Sequence, residues 1–77
     1  MKKVIIYSTS ACPYCRMAKD FFNEIKIEFI NYDVGIDKEK LDEMVKKSSQ
    51  IGVPVIDIEG EIIIGFDKEK IKTALEV

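Results

Sequence analysis

Ser-Ala-Cys-Pro-Tyr-Cys-Arg, residues 10–16, contains both cysteines of this 77-residue chain, and they lie three positions apart. Pro13 marks a helix start, because proline lacks the N–H that is unpaired at the first helical position and its φ is already helical. The apolar residues that follow recur at helical spacing, so the sequence predicts an amphipathic helix from Pro13 to about Ile25. Its predicted apolar face consists of Met17, Ala18, Phe21, Phe22 and Ile25. Cys12 is then expected at the N-terminal boundary of this helix.

Strands are predicted on both sides of this helix. Residues 3–8 form a short, β-branched apolar run, which is typical of a central strand covered on both faces. Residues 28–34 alternate around apolar and aromatic side chains and form a second strand. The order strand, helix, strand predicts that the two strands are parallel and joined by a right-handed crossover.

The rest of the chain predicts a helix, a hairpin and a last helix. Asp37 is expected to cap a second helix that runs to about Ser49. Residues 55–58 and 61–64 flank the pair Glu59-Gly60, a two-residue spacing that suggests an antiparallel hairpin. A final short helix is expected to start at its cap, Asp67, and to bury Ile71, Ala74 and Leu75. The predicted order is therefore β-α-β-α-β-β-α, an α/β fold.

Length, charge and hydropathy exclude several classes of protein. The chain is short enough to be a single domain spanning residues 1–77. Its 12 basic residues are interleaved with 14 acidic ones and the net charge is −2, which argues against a nucleic-acid binder. No secretory signal is present and no run approaches the ~20 apolar residues of a membrane span, so we expect a cytoplasmic protein with no membrane partner. No long apolar stripe is left over, so a monomer is expected.

Four interpretations of the cysteine pair are open. A zinc site normally takes four Cys or His ligands, and this chain has two cysteines and no histidine, so two chains would have to share the metal. A structural disulfide would close a loop of about four residues and contribute only roughly 2 kcal/mol in the chain-entropy model. Two unrelated buried thiols are a third interpretation. Redox chemistry is favoured, because cysteine pairs in a reducing compartment are more often catalytic or metal-binding than structural, and this chain lacks the further ligands that a metal needs.

The position of Cys12 supports the redox interpretation. A helix N-terminus presents unpaired N–H groups and the positive end of the helix dipole, which favour a thiolate. The thiolate is the attacking species in disulfide exchange. We therefore predict that Cys12 attacks a substrate disulfide, and that Cys15, one turn later on the same side, resolves the mixed disulfide. Arg16 and Lys19 either add positive charge to the site or form a solvated helix face.

Cys12-Pro13-Tyr14-Cys15 after a first strand resembles the dithiol members of the glutaredoxin family, which carry the same motif. The resemblance covers essentially the whole chain and implies a thioredoxin-like fold with a four-stranded mixed sheet flanked by helices. Gly52-Val53-Pro54 is similar to the family's Thr-Val-Pro loop, which implies that Pro54 is cis and faces the cysteines. Gly65-Phe66-Asp67 is similar to the end of the family's Gly-Gly-x-Asp motif, with Ile64 in place of the first glycine.

The resemblance also implies residues that bind glutathione or a peptide. The Val53 backbone would pair with an extended peptide or with the cysteinyl part of glutathione. Asp67 would bind an amino group of glutathione in addition to capping its helix. Thr9 stands where glutaredoxins usually have a lysine that binds a glutathione carboxylate. Gly65-Phe66 also resembles the Ser-Gly-Phe segment of NrdH-redoxins, which are glutaredoxin-shaped proteins that take electrons from thioredoxin reductase.

The sequence therefore predicts a thiol-disulfide oxidoreductase of glutaredoxin or NrdH-redoxin type that reduces protein disulfides or mixed disulfides. Electrons are expected from thioredoxin reductase, with glutathione as the other candidate co-substrate. No metal and no tightly bound cofactor are expected. The alternative is a dimeric binding protein that holds an iron–sulfur cluster or zinc on Cys12 of each subunit. Tyr14, Val53 and Phe66 are candidates for an apolar surface against which a partner docks.

Overall fold

The computed structural model describes residues 2–76. Its helices and strands follow the predicted order β-α-β-α-β-β-α. Their bounds are β1 Val4–Ser8, α1 Pro13–Glu24, β2 Ile30–Asp33, α2 Lys38–Ser48, β3 Val55–Ile58, β4 Glu61–Ile64 and α3 Lys68–Leu75. The second strand begins later than predicted, because the residues before it end α1: the Ile27 N–H donates to the Phe22 carbonyl at 2.9 Å, and Lys26 has a φ of 59°.

The sheet has the strand order β2-β1-β3-β4, so β1 is a central strand as predicted. β1 pairs with β2 in parallel and with β3 antiparallel, and β3 pairs with β4 antiparallel. The sheet is therefore mixed. β1 and β3 run in opposite directions, with Tyr7 opposite Val55. The C-terminal end of β1 and the N-terminal end of β3 therefore lie at the same end of the sheet.

The helices cover both faces of this sheet. α1 and α3 pack on one face, where Phe22, Ile6, Ile56 and Ile71 belong to one buried cluster. α2 packs on the other face, where Met44 joins a second buried cluster. Fully burying a side chain of this size stabilises the fold by about 1.5–3 kcal/mol, so the first cluster holds α1 and α3 against one face of the sheet and the second holds α2 against the other. The remaining members of the two clusters are Val4, Tyr7, Ala18, Phe21, Val34, Val55, Ile58, Ile63 and Ala74.

Two details of the predicted elements can be compared with the structure. The β3–β4 turn is a hairpin, as predicted: Glu59 and Gly60 have φ values of 50° and 92°, the positive pair that a tight two-residue turn requires. The prediction was wrong for Met17, whose side chain is 47% exposed although its spacing places it near the apolar stripe of α1. No helix within residues 2–76 is long and apolar enough to cross a membrane.

Candidate active site around Cys12 and Cys15

Cys12 is the N-cap of α1. Its backbone is extended, with φ −96° and ψ 112°, and Pro13 occupies the start of the helix as predicted. The Sγ atom of Cys12 accepts a hydrogen bond from the Cys15 N–H at 3.1 Å, the place that a hydroxyl or carboxylate oxygen takes in an ordinary N-cap. A backbone donor and the positive end of the helix thus both face the sulfur.

The two cysteines differ in exposure. Both are free thiols; Cys12 is half-buried, whereas Cys15 is fully buried. Burial raises the pKa of the Cys15 thiol to about 11, and its hydrogen bond to Cys12 acts in the same direction. Cys15 therefore keeps its proton near neutral pH, and Cys12 is the sulfur that a solvent-borne disulfide can reach.

The loop before β3 faces the cysteines. The Val53–Pro54 peptide bond is cis, as the resemblance implied. The Val53 carbonyl oxygen lies 3.8 Å from the Cys12 Sγ and accepts its thiol hydrogen. On the other side of the loop, the Gly65 N–H donates to the Pro54 carbonyl at 2.8 Å, so the end of β4 is tied to the loop. The Gly52-Val53-Pro54 loop therefore contacts the cysteine motif directly, and the Gly65-Phe66-Asp67 motif is bonded to that loop.

Thr9 lies between the cysteines and the loop that joins β2 to α2. Its carbonyl accepts a hydrogen bond from the Cys12 N–H at 3.4 Å. A Cβ atom built on Gly35 would lie 3.6 Å from the Thr9 methyl carbon and 3.1 Å from Asp33 Oδ1, so these two side chains border the same small space. The position that resembles a glutathione-binding lysine is therefore occupied by an uncharged residue beside a carboxylate.

The other predicted site residues have different surroundings. Tyr14 is 62% exposed next to Cys12. The Phe66 ring packs edge-on against Phe21 of α1, with the ring centroids 6.0 Å apart. The Phe66 side chain is therefore partly buried against the hydrophobic core. Asp67 caps α3 by accepting the Lys70 N–H at 3.1 Å, which matches the capping role predicted for it.

Two residues near the cysteines were missed by the sequence analysis. Ile36, in the loop beside Thr9, is 85% exposed, and Ile51, two residues before Val53, is 77% exposed. Their signal in the sequence is an isoleucine inside a predicted loop, away from the periodic face of any helix. Such exposure of a large apolar side chain is informative when several of them lie together.

The cysteines are not part of the open cavity found among the described residues. An open cavity of about 980 Å³ lies at the opposite end of β1, where its lining includes Lys2, Asn23, Phe29 and Leu75 and none of the predicted site residues. Within residues 2–76, no group of three or more His, Cys, Asp or Glu side chains is placed to hold a metal ion. The arrangement is an open surface site built on one half-buried sulfur and one buried sulfur.

Comparison with known proteins shows the family. Residues 4–63 match the glutaredoxin family model. A glutaredoxin-like 8.6 kDa protein from the rubredoxin operon of Clostridium pasteurianum is 42% identical over 71 residues, which cover 92% of this chain and 95% of that protein. Glutaredoxin 3 of Escherichia coli is 34% identical over 67 residues, which cover 87% of this chain and 81% of that protein.

Solved structures agree on the fold. A mutant of the thioredoxin-like protein BC3987 has a TM-score of 0.92 at 27% identity, and the match covers 100% of this chain and 99% of that chain. A glutaredoxin from Archaeoglobus fulgidus has a TM-score of 0.89 at 22% identity, with 100% of this chain and 89% of that chain covered. The thioredoxin-like fold is thus confirmed, and the chain belongs to the glutaredoxin family of thiol-disulfide oxidoreductases.

Proposed function

We propose that this protein reduces disulfides of protein substrates in a dithiol cycle in which Cys12 is the nucleophile and Cys15 is the resolving thiol. The observation that carries the proposal is the asymmetry of the pair. The Cys12 sulfur is half-buried at the N-cap and accepts the Cys15 N–H at 3.1 Å, whereas the Cys15 sulfur is buried behind it. Attack by Cys12 and resolution by Cys15 is the order that this exposure allows.

The proposed cycle transfers two electrons in two steps. The Cys12 thiolate attacks one substrate sulfur, the substrate S–S bond breaks, and the other substrate sulfur leaves and takes up a proton. The Cys15 thiol then loses its proton and attacks the Cys12 sulfur; the bond between Cys12 and the substrate breaks, and the second substrate thiol is released. The dithiol has become a Cys12–Cys15 disulfide, and the substrate disulfide has become two thiols.

The high pKa of Cys15 fits the order of these steps. Burial raises that pKa most, and the hydrogen bond and charge of Cys12 raise it further. Once Cys12 is in a mixed disulfide, its sulfur carries no negative charge, so the contribution of Cys12 to the raised pKa is removed. Cys15 therefore loses its proton more readily after the first step than before it, which protects the reduced form from premature oxidation.

We propose a flavoprotein of the thioredoxin reductase type as the electron source, in preference to glutathione. Glutathione carries two carboxylates, and its binding is strengthened by cations. Here Thr9 is uncharged and borders the same space as the Asp33 carboxylate, and residues 4–15, 27–37 and 48–67 contain no lysine or arginine, so that the cations next to the cysteines are Arg16 and Lys19 of α1. The proposed cycle uses no tightly bound cofactor, and we expect it to run in a cytoplasmic monomer.

Single substitutions test the roles of the cysteines. Cys12→Ser should abolish disulfide reduction. Cys15→Ser should keep the first step and accumulate a mixed disulfide on Cys12, which mass spectrometry of a tryptic digest would locate. A substrate adduct that forms on Cys15 in the Cys12→Ser protein would overturn the assignment.

Two coupled assays test the electron source. NADPH consumption is followed once with thioredoxin reductase and once with glutathione and glutathione reductase. Turnover with the first system alone supports the proposal, and equal or better turnover with glutathione contradicts it. The absorption spectrum after anaerobic purification, with a metal assay for zinc, tests the alternative: a brown or zinc-containing dimer would favour a metal-binding protein.

A further inference from the structure

We infer that Tyr14, Ile36 and Ile51 form an apolar rim around Cys12 that selects substrates in which apolar and basic residues flank the reactive cysteine. This inference rests on the proposed function, because it takes Cys12 as the sulfur that the substrate must reach. It assigns a role in substrate selection to Ile36 and Ile51. It also names the chemistry of the protein segment that docks there.

Ile36 is connected to the active site through the loop between β2 and α2. The Val34 N–H donates to the Ser8 carbonyl at 2.9 Å, which fastens this loop to the end of β1. Gly35 faces the Thr9 methyl group, and the Thr9 carbonyl bonds to the Cys12 N–H. Ile36 therefore stands on the flank of Cys12 that is formed by β1 and β2, and it leaves 85% of its surface in solvent.

Ile51 and Tyr14 lie on the other flanks of Cys12. Ile51 is two residues from Val53, whose carbonyl oxygen contacts the Cys12 sulfur, and two residues span at most about 7 Å of chain. Tyr14 follows Cys12 in the first turn of α1. Three segments that are distant in sequence, and that each adjoin Cys12 or a residue bonded to it, thus each carry one exposed, large apolar side chain. Water-exposed apolar area of this kind is buried when a partner docks.

The charges beside the apolar rim indicate the chemistry of the partner. Asp33 ends β2 and Asp37 caps α2 on either side of Ile36, and residues 27–37 and 48–67 contain no lysine or arginine; the neighbouring cations are Lys38 at the start of α2 and Arg16 and Lys19 on α1. Basic groups on a substrate would therefore be attracted on this flank, whereas a small anionic disulfide such as oxidised glutathione would be repelled. Together with the exposed apolar side chains, these charges favour a substrate with apolar and basic residues beside its disulfide.

The test uses peptides whose single cysteine is activated as a mixed disulfide with thionitrobenzoate. One probe has leucine, phenylalanine and lysine around the cysteine, a second of equal length has serine and glutamate, and the third is glutathione activated in the same way. The rate of thionitrobenzoate release by the pre-reduced protein is measured for each probe. No reductase is needed, so the choice of electron source does not enter the result.

The variants are Ile36→Gln and Ile51→Gln, with Ile30→Gln as a matched control on an exposed isoleucine at the far end of β2. Exposed substitutions of this kind usually change stability by less than about 0.5 kcal/mol, so the variants should fold. We expect the wild-type protein to react about tenfold faster with the apolar, basic peptide than with the glutathione probe. Each rim variant should lower the peptide rate by about three- to tenfold and leave the glutathione rate unchanged, and the control should change neither.

The results separate this inference from the proposed function. If the wild-type protein shows no preference among the probes, or if the rim variants behave like Ile30→Gln, the apolar rim does not select substrates. If Cys12→Ser still releases thionitrobenzoate at the wild-type rate, it is the proposed role of Cys12 that fails. Higher salt should slow the reaction of the lysine-containing peptide, and an unchanged rate would contradict the part assigned to Asp33 and Asp37.

Discussion

Replacing Lys47 with methionine should destabilise the fold markedly, although Lys47 is a partly exposed residue of α2. Its Nζ atom donates to Asp57 Oδ2 at 2.7 Å and to the Tyr7 hydroxyl at 2.7 Å. The Tyr7 hydroxyl donates in turn to the Glu43 carboxylate, and Asp57 Oδ1 accepts the Gly60 N–H of the hairpin turn at 2.7 Å. One ammonium group therefore connects α2 to both central strands.

The size of the effect follows from the exposure of the two charged partners. Removing one member of a buried ion pair costs about 3–5 kcal/mol, because the other charge stays buried without its partner. The Asp57 side chain is 10% exposed, but the Lys47 side chain is 30% exposed, so solvent screens part of the interaction. We therefore expect a loss of about 2 kcal/mol in the free energy of unfolding, which corresponds to a fall of roughly 8–16 °C in Tm for a domain of this size.

Urea and thermal denaturation followed by circular dichroism would measure this loss. Lys46→Met is the matched control, because Lys46 is the exposed neighbour on the same helix and makes none of these contacts. The double variant Lys47→Met/Asp57→Asn should recover part of the stability, since a neutral amide no longer needs the ammonium group. If Lys47→Met unfolds at the same temperature as Lys46→Met, the interpretation of the cluster as a stabilising link is wrong.

Three further predictions concern the cysteines and the α3 cap. Iodoacetamide should modify Cys12 of the folded, reduced protein and spare Cys15, which is buried and has a pKa of about 11; peptide mass spectrometry would show both, and Cys15 should react only after unfolding. Because that pKa lies above the ordinary 9.0, the stability that the protonated Cys15 contributes is present below about pH 9 and is lost as the pH rises towards 11. The stability advantage of the wild type over Cys15→Ala should therefore shrink by about 2–3 kcal/mol between about pH 8 and about pH 11, and urea denaturation curves that stay parallel would contradict this. Asp67→Ala should lower the free energy of unfolding by about 1 kcal/mol through loss of the cap, whereas Asp67→Asn, which keeps the accepting oxygen, should lose little.

Local signals explain why the elements could be predicted from the sequence. Pro13 and Asp67 mark helix starts, and the Glu59-Gly60 pair marks the hairpin, because each of these signals acts within a few residues. The position of Cys12 at the N-cap follows directly from Pro13. The parallel pairing of β1 with β2 followed from the order strand, helix, strand, whereas the four-stranded mixed sheet and the cis bond before Pro54 came from the resemblance to a family.

Long-range packing explains what could not be predicted. From the sequence alone, Lys47 cannot be distinguished from the other surface lysines, because its partners Tyr7 and Asp57 lie 40 and 10 residues away in the chain. Met17 fits the apolar spacing of α1, but the sheet and α3 cover only part of that face, and its side chain remains exposed. The exposure of Ile36 and Ile51 likewise depends on which elements lie over two short loops, and no periodic pattern encodes that.

The antiparallel pairing of β1 with β3 has a consequence for synthesis on the ribosome. The cysteine motif leaves the ribosome early, but the Val53 carbonyl that faces the Cys12 sulfur is 41 residues further along the chain. A nascent chain that stops before β3 contains both thiols without the opposing loop or the third strand that completes the core around them. Until the last third of the chain is added, the two sulfurs are ordinary thiols on an unfinished polypeptide. Selective reactivity of Cys12 over Cys15 would therefore report that a newly made molecule has completed its fold.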